Sequence, residues 1–101
     1  MDEARAAEGL SRIQDEINAE KAAALSRIAG TLEALLAELR RIAAEAAASQ
    51  ERERAVARHR EVREQALRYR WYLEVQREAI GLTRHEALDE MYPVPEPLEG
   101  G

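Results

Sequence analysis

The sequence predicts an all-α fold: an antiparallel hairpin of two long helices, a short C-terminal helix and a Pro-rich tail, dimerising into a four-helix bundle. Three observations carry this expectation. Apolar residues, mostly Ala, Leu and Ile with no Phe, recur at helical spacing along most of the 101 residues. No Gly or Pro occurs between Thr31 and Ile80, yet the apolar seam changes phase near Ser49. The only Trp, all three Tyr and all three Pro lie between Tyr69 and Pro97, together with the clearest helix-stop and helix-start signals.

In chain order, residues 1–9 are polar and are expected to fray up to Gly9. The first helix is placed at 10–48, with Leu10, Ile13, Ile17, Ala24, Ile28, Leu32, Leu35, Leu39, Ile42 and Ala46 on its inner face. The eleven-residue intervals Ile17–Ile28–Leu39 and Ile13–Ala24–Leu35 suit a nearly straight helix. Gly30 followed by Thr31 permits a break, but a continuous helix carrying one Gly costs only about 1 kcal/mol. Extending this seam past Ala46 runs into Glu53, Arg60 and Arg63, whereas the next apolar series passes through Ala55, His59, Val62, Ala66, Tyr69, Leu73, Gln76 and Ile80. A tight turn at Ala48 to Glu51 resolves the conflict, and facing residues then have numbers that add to about 98.

The second helix is placed at 51–80 and ends on Gly81, the residue for which a left-handed closing conformation costs least. Thr83 and Glu86 have the spacing of a capping box, so a short helix is expected at 84–92. Pro93, Pro95 and Pro97 then hold an extended tail over 93–101. The short helix is expected to fold back over Leu10 and Ile13, burying Leu88, Met91 and Val94.

Each long helix buries one face and leaves a second apolar stripe: Leu25, Leu36 and Ala43 on one, Val56, Leu67 and Trp71 on the other. Exposed apolar surface of this kind marks a partner, and a homodimer closes it most simply. The expected interface is Leu25, Leu36, Val56, Leu67, Tyr69, Trp71 and Gln76. Gln76, a polar group on the seam, would fix register across the dimer axis.

Segments Asp15–Leu25 and Val75–Leu82, with the Tyr-Pro tail, resemble a small bacterial all-helical family of unknown function. The resemblance covers about a third of the chain and implies a helical hairpin without a known activity. Neither segment is a catalytic signature.

Composition bounds the function. Charged residues make up 35% of the chain and the formal charge is −5, so the whole molecule is not drawn to nucleic acid or anionic membrane. There is no Cys, hence no thiol chemistry or disulfide framework. No stretch reaches the roughly 18 apolar residues of a membrane span, and the acidic N-terminus lacks signal-peptide order. A cytoplasmic protein is expected.

Local signals for chemistry are weak. His85 and Asp89 stand one helical turn apart but lack the second His of a zinc-binding helix. His59 on the seam has no nucleophile arranged around it and reads as a core residue. No catalytic, cofactor or metal residue is assigned. The strongest electrostatic feature is 52–70, with seven Arg against three Glu, a local charge of +4. Its Arg52, Arg60, Arg63 and Arg70 are the candidates if the chain contacts nucleic acid, although interleaved Glu and Arg more often pair along a wet face. The leading expectation is a non-enzymatic interaction or structural module; the alternative is a nucleic-acid-binding accessory protein.

Overall fold

The structure, a computed structural model, describes residues 2–48 and 50–98. Among these, three helices occur and no strand: α1 (Asp2–Ala48), α2 (Arg52–Ala79) and α3 (Glu86–Met91). The chain reverses where the seam changes phase. Met1 of the expected frayed end, Ser49 of the expected turn and residues 99–101 of the expected tail lie outside the described residues.

The helices pack side by side in the expected register. Arg58 pairs with Glu38 at 2.9 Å, and the Lys21 ammonium donates to the carbonyl of Ala79 at 3.2 Å. Leu32, Leu36, Leu39 and Ile42 of α1 join Val62, Ala66 and Leu73 of α2 in one core, with Leu35, Ala55 and Tyr69 packed at its edge. Gly30 lies within an unbroken α1. Instead of capping a new helix, Thr31 donates its hydroxyl to the Arg27 carbonyl one turn back, at 3.1 Å.

Several expectations are corrected. α1 begins at Asp2 rather than after Gly9. Ala6 and Ala7 favour helix intrinsically. The Thr83–Glu86 capping box does not form: His85 occupies the cap position of α3 and no side-chain cap bond is made. Leu36 and Val56 are buried inside the chain, so they do not belong to a partner-facing stripe.

The largest correction concerns the C-terminal strap, residues 82–98. It does not cover Leu10 and Ile13. α2 closes on Gly81 at φ +89°, where the Leu82 N–H bonds the Arg77 carbonyl at 2.9 Å and the Gly81 N–H bonds the Glu78 carbonyl at 3.0 Å. This paired closure turns the chain back along α2. Three arginines seven residues apart on α2 then hold successive points of the strap. Arg77 donates to the Arg84 carbonyl, Arg70 to the Asp89 carboxylate and Arg63 to the Pro95 carbonyl, each at 2.7 Å. Leu88 is buried between α1 and α2, bordering Leu25, Ala29 and Leu73, while Met91 stays exposed. Burying one Leu in this way contributes about 2 kcal/mol, enough to orient a six-residue helix that is too short to persist alone.

Candidate functional site

The helices differ in length, and that difference creates the surface of most interest. α2 ends level with Lys21, so residues 2–20 of α1 project beyond it with no facing helix among the described residues. At 1.5 Å per residue this overhang is about 28 Å long. Leu10, Ile13 and Ile17 share one of its faces and are 69%, 55% and 39% exposed. They were expected in the core; the structure leaves them outside it. A lone helix of this length is marginal in water, and its apolar face adds a further reason to seek cover.

A second apolar stripe runs along the outer side of α2. Leu67, Trp71 and Val75 follow at intervals of four, and Trp71 is 58% exposed. Tyr72 contacts two rings, its centroid 5.7 Å from Trp71 and 5.3 Å from Tyr69, the latter edge-on. Leu67 and Trp71 form one wall of an open cleft of about 490 Å³, and Tyr92, Pro93 and Val94 of the strap form the other.

The expected interface residues therefore separate. Leu67 and Trp71 face outward, Tyr69 packs against the core edge, and Leu25 lies under the strap beside Leu88. Leu36 and Val56 are enclosed. Gln76 is partly buried and borders a shallow cleft with Glu20, Lys21, Ala24 and Arg27, all on α1.

The four arginines separate too. Arg60 is exposed, and so is Arg52, which makes contacts within the chain. Arg63 is turned to the strap, reaching Pro95 and, at 4.0 Å, Glu96. Arg70 is largely shielded and binds two carboxylates, Glu74 and Asp89, each at 2.7 Å. Burial works against its charge, but the hydrogen bonds and negative charges of Asp89 and Glu74 outweigh it and raise the pKa further above neutrality. Most of the Arg-rich character thus serves the fold.

His85 and Asp89 are drawn to different partners. The Arg77 guanidinium donates to His85 Nδ1 at 3.4 Å, so Nε2 carries the proton and donates to Glu78 at 3.0 Å. Asp89 is held by Arg70. No group of three or more metal-ligating side chains occurs among the described residues. His59 is 1% exposed on the seam.

Sequence reasoning missed two features that had a signal. The placed helices were already unequal in length, which implies an overhang. The seven-residue spacing of Arg63, Arg70 and Arg77 marks one face of α2, the face the strap follows. No family model, curated protein or solved structure matches the chain.

Proposed function

We propose that this chain is a non-enzymatic protein-interaction module that acts as a cytoplasmic homodimer, its hairpins joining into a larger helical bundle. The observation that carries this reading is the overhang: a solitary helix presenting Leu10, Ile13 and Ile17 to solvent. Helices of this kind are stabilised in proteins by packing of an apolar face rather than by propensity. The stripe of Leu67, Trp71 and Val75 is a second unfilled apolar face on the same molecule. Among the described residues no helix is long and apolar enough to cross a membrane.

The nucleic-acid reading loses support from the same geometry. Two of its four arginines are engaged with the strap, and the chain carries a net charge of −5.

Light scattering over a range of concentrations tests the proposal. The expected result is a mass rising from 11.4 kDa toward twice that value. A mass that stays at one chain up to high concentration overturns the homodimer.

A further inference from the structure

The overhang and the α2 stripe match each other. Leu67 lies 57 positions after Leu10, Trp71 58 after Ile13 and Val75 58 after Ile17. Two helices placed side by side in parallel at that offset bring three apolar pairs together in sequence. We propose that the overhang of one protomer docks, in parallel, along the exposed apolar stripe of its partner's α2, beside the cleft under the strap, with Leu10, Ile13 and Ile17 set against the partner's Leu67, Trp71 and Val75. The inference rests on the homodimer reading and specifies its interface.

Four observations select a second copy as the occupant. The cleft has an apolar wall on each side, Leu67 and Trp71 on α2 and Tyr92 to Val94 on the strap, and the charged groups that also line it, Arg70, Glu74 and Asp89, are already paired with one another. Charge is complementary: residues 1–20 hold six acids and two Arg, a charge of −4, and the stretch this offset sets against them, 58–78, holds six Arg and four Glu, a charge of +2. At the same offset Arg5 falls between Glu61 and Glu64, all exposed.

The overhang cannot cover its own stripe. Within the chain Leu67 stands level with α1 near residue 31, about 30 Å along a continuous helix from Leu10. A second copy has no such restriction. Because α1 and α2 are antiparallel, a two-fold axis perpendicular to them sets each α1 parallel to the partner's α2. The contact is then made twice and closes the assembly.

The absence of Cys makes the arrangement testable in the full chain. Leu10→Cys and Leu67→Cys proteins are purified separately, mixed and mildly oxidised. A disulfide requires Cα atoms within about 7 Å, far less than the separation of these positions inside one chain. The expected result is a covalent dimer in the mixture and not in either variant alone. A Leu10→Cys and Val75→Cys mixture, offset by about two turns, is expected to stay uncross-linked. Separately, Ile13→Asp at an exposed position is expected to raise the dimer dissociation constant at least about thirtyfold, with the helical circular dichroism of the hairpin retained.

A wild-type dimer without the 10–67 cross-link, or one joined only in the 10–75 mixture, overturns the docking arrangement and leaves the dimer standing. So does a dissociation constant unchanged by Ile13→Asp. A monomer at every concentration, or one that binds only a different protein, overturns both.

Discussion

His59 sits on the inner face of α2 in line with Val62 and Ala66, and among the described residues its Nδ1 has no hydrogen-bond partner. Burial, assisted by the nearby charge of Arg63, holds its pKa below the ordinary 6.5. The unfolded chain therefore takes up a proton that the folded chain resists. Stability present above pH 6.5 is lost as the pH falls through and below that value, with a slope approaching about 1.4 kcal/mol per pH unit. His59→Leu is expected to flatten that slope in denaturant titrations at pH 5 and pH 8. It also removes an unsatisfied buried nitrogen, so a gain of about 1 kcal/mol at pH 7 is expected. Arg70 behaves differently, because its partners Glu74 and Asp89 are both present and one of them is well exposed. Arg70→Gln is expected to loosen the strap by about 1 kcal/mol, read as faster amide exchange over 86–98 with α1 and α2 unaffected.

At the level of elements, two glycines in similar surroundings have opposite roles. A Cβ at Gly30 meets nothing within 4 Å, and the residue sits inside regular helix. Gly30→Ala is therefore expected to raise thermal stability by about 0.5–1 kcal/mol through helix propensity alone. Gly81 is equally open, but its φ of +89° is one that L side chains avoid. Gly81→Ala is expected to cost about 1–2 kcal/mol and to misdirect the strap, detectable as lost protection at Leu88 in hydrogen exchange. α3 depends on that direction. Its six residues include one buried side chain, and its cap makes no side-chain bond, so it is held by what it lands on.

For the whole molecule, the governing quantity is the mismatch between a 47-residue α1 and a 28-residue α2. α1 at 1.5 Å per residue is about 70 Å long and accounts for most of the 75 Å long dimension. The hairpin half of α1 is secured by the core, whereas the overhang has only its own hydrogen bonds. Amide protection over residues 5–18 is therefore expected to rise with protein concentration, while protection over 32–42 does not change. Protection of the overhang that is high and concentration-independent would contradict an overhang stabilised by a second chain.

The hairpin was legible in the sequence because a helical seam is a local periodic signal and its change of phase at Ser49 is a local event. The inward residues Leu32, Leu39, Ile42, Val62, Ala66 and Leu73, and the closure at Gly81, follow from the same short-range rules. Where the strap goes did not follow. Its course was decided by three guanidiniums on α2 and the slot that receives Leu88, partners distant in sequence from the tail they hold. That choice left Leu10 and Ile13 uncovered and turned Arg63 and Arg70 toward the fold. Local spacing tells a residue which face it occupies; only packing between elements decides whether that face meets protein or water.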